Sequence, residues 1–577
     1  MKLIEALELL KRPPVSGSRD LTVSLVCGFN PLHLETFLAA ELRLLFPDRA
    51  IAILTGLYGD FPGNLQRVER VDVGAIVLEW SDLDPRLGIR RLGGWGLRDL
   101  NDILKNVKAQ TTRVRELIER VSATVPLAIC PPTLPLPPLS ITPGWQASTF
   151  EQDVREFLST LEAAIARFPG AMIINQQRLA RLSPLDGRFD VRSELQAGFP
   201  YTLFHAAIVA ELLARLIREP VPKKGLITDL DDTLWRGILG EVGIDGISWD
   251  LEHHTQIYGL YQQLLDALAE QGVLIGIASK NDPDLVEEAF RKAHPILSPK
   301  HIYPVEVHWG PKSKSVARIL ATWNVAADSV VFVDDSPMEL AEVRAAHPEI
   351  ECVLFPRNDD RAAYVLLEQL RDLFGKGSVS QEDAIRLDSI RATHSLAKDA
   401  QVMADSPDQF LEQVAGKLAF TFATDPPDPR ALELVNKTNQ FNLNGKRYTE
   451  ADWRAHLRSP DVFMLMAAYE DKYGPLGKIA VVSGHASGKT LSVEVWVMSC
   501  RAFSRRIEHQ CLKELFERLG ADEIVFDFSA TPRNGPLQSF FAQFVGGPPP
   551  RGLRLARKLF FEKCPPLFLE IKGSTNG

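Results

Sequence analysis

Residues 225–241 read GLITDLDDTLWRGILGE, and the reading of this stretch decides the fold of the middle of the chain. Leu226 and Ile227 form a short apolar run that feeds into Asp229, Leu230, Asp231, Asp232 and Thr233. The pattern is that of a buried strand that ends by presenting two carboxylates, Asp229 and Asp231, into a crevice. In a parallel α/β sheet, ligands collect beyond the carboxyl ends of the strands. Carboxylates two residues apart at such a place suit a hard cation such as Mg2+, and one of them can attack phosphorus while the other moves the proton.

Three more apolar runs end in polar residues further along. VLIGIAS at 273–279 ends in Ser279, with Asn281 shortly after; HWGPKS at 308–313 places Lys312 at a helix start; VVFVDDSP at 330–337 ends in Asp334 and Asp335. Together with DLDDT, this series resembles the four motifs of the haloacid dehalogenase (HAD) phosphotransferase superfamily, whose first motif is DxDx[TV]. The resemblance implies that Asp229 is the nucleophile that becomes an aspartyl-phosphate and that Asp231 is the general acid/base. It implies that Ser279 donates to the phosphoryl group, that Lys312 neutralises charge, and that Thr233 and Asn281 contact substrate. Asp229, Asp231, Asp334 and Asp335 are then the expected Mg2+ ligands. The gaps between motifs hold little beyond one helix and one strand. The core is therefore expected to lack a cap and to admit a substrate held on a carrier protein, or to use a neighbouring domain as lid.

The bulk numbers bound the class. At 577 residues the chain is long enough for about three or four domains. It is 45% hydrophobic and 24% charged, as an ordinary globular protein is. A net charge of -9 with mixed signs argues against a general nucleic-acid binder. No apolar run approaches the ~20 residues that span a bilayer. The opening MKLIEALELLKRPP has Glu5 and Glu8 in its apolar stripe and reads as an amphipathic helix stopped by Pro13, not as a signal peptide. Cys27, Cys130, Cys352, Cys500, Cys511 and Cys564 form no CxxC pair, so neither a disulfide framework nor a zinc site is expected, and a cytoplasmic location is.

Residues 1–220 alternate strand patterns (21–26, 50–55, 73–80, 171–175) with helical ones (33–45, 99–121, 150–168, 202–218), as in an α/β domain. The proline-rich 131–138 reads as a loop over the domain surface. The region is similar to an SGNH-hydrolase-like three-layer domain. In that family a serine nucleophile follows the first strand; here Cys27 holds the place and His205 is the partner to expect. The late Asp-x-x-His motif is missing, and the nearest acids are Asp186 and Asp190.

In residues 377–577, NKTNQFNL at 436–443 reads as a polar binding loop. GHASGKT at 484–490 is one residue short of a P-loop and reads as a hairpin turn. MSCRAFSRRIE at 498–508 resembles the acyl-CoA-binding turn of GNAT acyltransferases, with Ser504 and Arg506 where glycines are usual. Arg501, Arg505 and Arg506 are candidate phosphate ligands there.

The order DLDDTLWRGILGE, WGPKS, FVDDSPME, NKTNQFNL, MSCRAFSRRIE, TPRN resembles the FkbH-like family of HAD-IIIC proteins from about Lys223 to the end. The resemblance implies three α/β or α+β domains: SGNH-like at 1–220, a capless HAD core with a parallel sheet at 221–376, and GNAT-like at 377–577. It implies transfer of a glyceryl group from 1,3-bisphosphoglycerate to an acyl carrier protein, with loss of phosphate, in polyketide biosynthesis. Cys500 is the first choice for a thiol that holds the acyl group, with Cys27 second; a buried packing cysteine is the competing reading. Arg501, Asn439 and Gln440 would contact substrate or the carrier's phosphopantetheine arm. The alternative is a plain Mg2+-dependent phosphatase whose flanking domains serve only as scaffold or docking surface.

Overall fold

The computed structural model describes residues 1–577 except 13–18, 69, 93–95, 140, 219–220, 403–406, 426, 504 and 577. The chain divides into two compact units, Met1–Val221 and Pro222–Gly577.

The first unit is built on a five-stranded parallel sheet, β1 (Arg19–Val26), β2 (Arg49–Thr55), β3 (Val73–Val77), β4 (Leu127–Cys130) and β5 (Ala171–Ile173), in the order β2-β1-β3-β4-β5. β3 and β4 are buried along their whole length, which explains their unbroken apolar runs. One face packs under helices Leu32–Leu45 and Leu203–Arg218, the other under Leu100–Ser122 and Thr149–Ile165. Strand order reverses between β1 and β3, so a crevice opens beyond their carboxyl ends.

The second unit holds two sheets. β6 (Gly225–Thr228), β7 (Leu274–Ser279), β8 (Ile302–Val307), β9 (Val330–Asp334) and β10 (Glu351–Leu354) are all parallel, in the order β10-β9-β6-β7-β8. Period-two alternation splits β9 between two cores: Val331 and Val333 pack with Leu226, Ile275 and Tyr261, while Val330 and Phe332 pack with Ile227, Val316 and Trp323. Between β6 and β7 lie a turn region with the short helix Leu239–Val242 and a 3-10 turn, then helix Gln256–Glu270, and between β7 and β8 helix Pro283–Lys292 plus a 3-10 turn. No cap domain is inserted among the described residues.

Helix Lys312–Trp323 packs on this sheet because two glycines let it in. A Cβ on Gly225 or Gly276 would lie 2.5 or 2.9 Å from the Trp323 ring. Trp323 also donates its indole N–H to the Tyr303 carbonyl at 2.6 Å. The helix end is thereby fixed, and with it the start at Lys312.

The second sheet is mixed: β11 (Lys417–Phe422), β12 (Val462–Asp471), β13 (Gly474–Ser487), β14 (Thr490–Met498), β15 (Glu523–Phe526), β16 (Arg554–Ala556) and β17 (Glu570–Asn576), in the order β16-β15-β14-β13-β12-β11-β17. β11 to β14 form an antiparallel meander, whereas β14 and β15 are parallel and joined through helix Ile507–Arg518. Residues 484–490 form the β13–β14 hairpin, with Ser487 paired to Thr490. Leu387 and Ile390, beyond the expected boundary at 376, pack into the core of the parallel sheet. No described helix is long and apolar enough to cross a membrane.

Candidate active site

Each of β6, β7 and β9 ends at one edge of the parallel sheet, and their last residues carry the chemistry. Asp229 follows β6, its N–H donating to the Val333 carbonyl at 3.0 Å. The chain then folds over on itself. Leu234 donates to the Leu230 carbonyl at 2.8 Å, and Asp232, at φ 49, reverses the backbone while its carboxylate accepts from Gly237 N–H at 3.0 Å. Leu230, Leu234 and Trp235 anchor this turn in the core. The apolar residues of DLDDTLW thus hold its acids in place.

Lys312, only 2% exposed, lies within 2.9 Å of Asp229 and 2.6 Å of Asp334, and it is ion-paired with Glu339. Burial pulls the pKa of its ammonium down, but Asp229, Asp334 and Glu339 together overcome this and raise it. Asp334 is fully buried; burial and then the Asp229 charge push it up, against the pull of Lys312. Its other oxygen accepts from Ser336 N–H at 2.8 Å. Glu339 reaches back from the first turn of helix Pro337–Ala346 and also pairs with Lys280 at 3.1 Å.

One oxygen of Asp229, Oδ1, is buried with no hydrogen-bond partner. Asp229, Asp334 and Glu339 offer ligand atoms within 4.8 Å of one another. Such an all-oxygen group with an orphaned carboxylate oxygen fits a hard divalent cation.

The expected four-acid ligand set differs from this group. Asp231 stands apart because both its oxygens are engaged: Oδ1 accepts from Trp235 Nε1 at 3.0 Å and Leu239 N–H at 3.1 Å, and Oδ2 from Asn281 at 3.0 Å. Burial raises Asp231 to about 6, against those hydrogen bonds. Asp335 accepts from Thr233 at 3.5 Å and pairs with Arg357 at 3.0 Å. Glu339 replaces these two as the third acid. Its signal was present in FVDDSPME, where a Glu three residues after a Ser cap otherwise reads only as a capping residue. Ser279 closes β7 in a buried position, its carbonyl accepting from His308 N–H at 3.1 Å. Asn281 positions Asp231.

Cys500 lies elsewhere. Its thiol accepts from Asn324 Nδ2 at 2.6 Å, and Asn324 caps the far end of the helix that begins with Lys312. Twelve helical residues separate the two ends, about 18 Å at 1.5 Å per residue. Burial raises the Cys500 thiol, with Arg501 opposing. Arg501 bonds to Ser389 and to Ser499 rather than to a carboxylate, and burial lowers its pKa to about 10.

The expectation that Arg505 and Arg506 hold phosphate is corrected. Arg505 is buried against Asp471 at 3.1 Å, and Arg506 pairs with Asp408 at 2.6 Å. Ser504 lies outside the described residues. In the 436–443 loop, Asn436 and Asn442 are spent on backbone: Asn436 bonds Tyr448 in both directions, and Asn442 accepts from Gly445 N–H at 2.7 Å. Asn439 and Gln440 are exposed, Asn439 accepting from Arg447.

The Cys27–His205 pair is also corrected. Cys27 donates to the Phe29 carbonyl at 3.2 Å, and burial with Asp82 pushes its thiol up to about 12. Both His205 ring nitrogens are taken, by Thr133 at 2.8 Å and Ser183 at 2.9 Å, and burial lowers its pKa to about 3. A nucleophile needs a thiolate and a free base, and neither is present.

The parallel sheet of the second unit thus gathers its acids and Lys312 at the carboxyl ends of its strands, a doubly wound α/β arrangement. Among solved structures, the chain is similar to the N-terminal part of the protein BF1531 from Bacteroides fragilis, described as containing a phosphatase domain complexed with Mg. The TM-score is 0.52 at 21% identity, over 66% of this chain and 100% of that one. A second structure, an uncharacterized protein from Corynebacterium glutamicum, aligns at 18% identity over 27% of this chain and 98% of that one, with a TM-score of 0.19, too low to mark a shared fold. No family model and no curated protein matches the chain.

Proposed function

We propose that the protein is a Mg2+-dependent phosphatase of HAD type that works through Asp229. We further propose that its substrate is an acyl phosphate such as 1,3-bisphosphoglycerate, whose glyceryl group passes to an acyl carrier protein. The observation that carries the reading is the buried group Asp229, Asp334, Glu339 and Lys312, in which one Asp229 oxygen has no partner. Leaving such an oxygen unmet costs about 1–3 kcal/mol. Asp229, Asp334 and Glu339 would hold the ion, as the Mg in the BF1531 structure makes reasonable. When bound it supplies neutralisation of the phosphoryl oxygens.

The chain's own residues do the rest. In hydrolysis, the Asp229 carboxylate forms a bond to phosphorus as the bond to the leaving oxygen breaks, and that oxygen departs with the free acid or alcohol. Lys312 stabilises the charge gathering on the phosphoryl oxygens. Asp231, oriented by Trp235, Leu239 and Asn281, gives its proton to the leaving oxygen. It then takes a proton from the water that cleaves the aspartyl-phosphate. With its pKa raised to about 6, Asp231 retains more acid form near neutrality than an ordinary aspartate.

A plain phosphatase with non-catalytic flanking domains is the second reading, and the position of Cys500 favours it. A thiol at the far end of a helix about 18 Å long, whose start holds Lys312, receives no acyl group directly from the crevice. In the transferase reading, the carrier's own thiol enters the open crevice and attacks the acyl carbon; the bond from that carbon to the phosphate oxygen breaks, inorganic phosphate leaves, and Asp229 serves to hold the ion rather than to form an aspartyl-phosphate. Incubation with 1,3-bisphosphoglycerate, Mg2+ and a holo carrier protein separates the two. Phosphate release with a glyceryl mass on the carrier supports transfer; phosphate alone supports the phosphatase. Phosphate release undiminished in Asp229→Asn would sink both.

A further inference from the structure

The first unit carries a cavity that the proposed chemistry does not use. It opens beyond the carboxyl ends of β1, β3 and β4, at the reversal of strand order where doubly wound sheets collect ligands. Its volume is about 180 Å³, larger than the ~150 Å³ of an engineered cavity that takes up benzene. Phe29 after β1, Trp80 after β3 and Leu134 after β4 supply apolar walls, and Leu87 and Ile89 stand opposite.

The charged groups that line it are acids. Glu79 is 2% exposed, and its Oε1 accepts from Thr133 Oγ1 at 2.7 Å and Tyr201 OH at 2.7 Å. Those donors fix the carboxylate at the wall. Glu194 also lines the cavity, and its Oε2 is buried with no hydrogen-bond partner. The guanidiniums that act on these acids, Arg188 and Arg90, are committed to backbone carbonyls: Arg188 donates to Ser183 and Thr133, and Arg90 to Glu194. The cavity thus has aromatic walls and two carboxylate side chains in its lining, and one oxygen of Glu194 is without a partner.

We propose that this cavity binds a small organic amine, with an apolar body of about one ring against Phe29 and Trp80 and an N–H donor on Glu194 Oε2 near Glu79. An ammonium over aromatic faces and beside a carboxylate is favoured on both counts, whereas an anion meets the carboxylates that line the cavity. Burial raises Glu79 and Glu194, and burial together with the charges of Glu79 and Glu194 raises Asp82 to about 8, so an arriving cation relieves a charge burden already present.

Titration calorimetry on the full chain tests this with three probes of similar shape: phenethylamine, phenethyl alcohol and hydrocinnamate. The amine should bind, the anion should bind roughly tenfold or more weakly, and the alcohol should fall between. Glu194→Gln should weaken the amine by roughly tenfold and leave the alcohol near its original affinity. Ile89→Trp, which fills the cavity from a partly buried wall position, should abolish binding of both while circular dichroism stays unchanged. Absence of amine binding to the wild type would overturn the proposal. So would equal binding of amine and anion, or amine binding untouched by both variants.

Discussion

Lys312→Met is the perturbation that separates a structural lysine from one that holds the site's charge. The ammonium meets Asp229 at 2.9 Å, Asp334 at 2.6 Å and Glu339 as a third partner, in a position only 2% exposed. Methionine matches the stem but leaves three carboxylates facing one another. Removing one partner of a buried ion pair costs about 3–5 kcal/mol, and protonation of Asp334, already pushed upward, recovers part of it. A net loss of about 3 kcal/mol at alkaline pH follows, lowering the unfolding midpoint of the second unit by several degrees. The sign with pH is fixed by linkage. Without the lysine, the folded-state pKa of the acids lies above the unfolded value, so the variant loses stability as pH rises through that folded value and regains it on acidification. Excess Mg2+ should restore more stability to the variant than to the wild type, because it meets carboxylates that have lost their cation. Scanning calorimetry with chelator or Mg2+, at mildly acidic and mildly alkaline pH, reads all three effects. A variant as stable as the wild type at alkaline pH, or one whose loss does not change with pH, would refute the reasoning.

The other predictions are shorter. Cys500→Ser should leave phosphate release within about twofold of wild type, since the thiol stands at the opposite helix end from Lys312; a loss of tenfold or more in a phosphate assay would place it in the chemistry. Gly276→Val should drive a side chain into Trp323, cost about 1–3 kcal/mol and lower turnover more than the loss of folded protein explains, as read by activity per folded molecule. His205, neutral when folded with a pKa near 3 against 6.5 when free, should make the first unit lose stability as pH falls below about 6.5. His205→Asn should flatten that slope in acid-titrated melts.

How much was legible follows from how local each signal is. β6, β7 and β9 are buried on both faces, so each is an unbroken apolar run whose end is marked by the first polar residue. Asp229, Ser279 and Asp334 could therefore be placed at one sheet edge from sequence. Orientation could not. Asp231 turns away because Trp235 is four residues on and Asn281 fifty residues on, and only folding joins them. Glu339 joins the site because a helix start happens to face Lys312. His205 as a partner for Cys27 is a pairing that sequence alone does not test, because the Thr133 and Ser183 that occupy its ring lie on other segments. Cys500 is the sharpest case. Its motif is adjacent to the site in no sense except family order, and the length of one helix sets the distance.

The charges around the crevice argue for when a phosphoryl group can enter. Arg357 and Arg236 pair with Asp335 and Asp232, two cations against two anions. With Asp231 in its acid form, what remains is Asp229, Asp334 and Glu339 against Lys312 and Lys280, three anions against two cations. That surplus of one negative charge, in a site buried from water and weakly screened, repels a phosphoryl dianion. A divalent cation reverses the sign of the pocket, and the dianion then restores the surplus it began with. On the proposed reading, the site attracts phosphate only after it holds the ion, and Lys312 alone does not substitute for it, since its one charge is already matched by carboxylates within hydrogen-bond reach. The same balance supports the proposed role of Asp231 as the acid that moves protons: its carboxyl is tied to neutral donors, so its protonation changes without disturbing the ion pairs of Lys312.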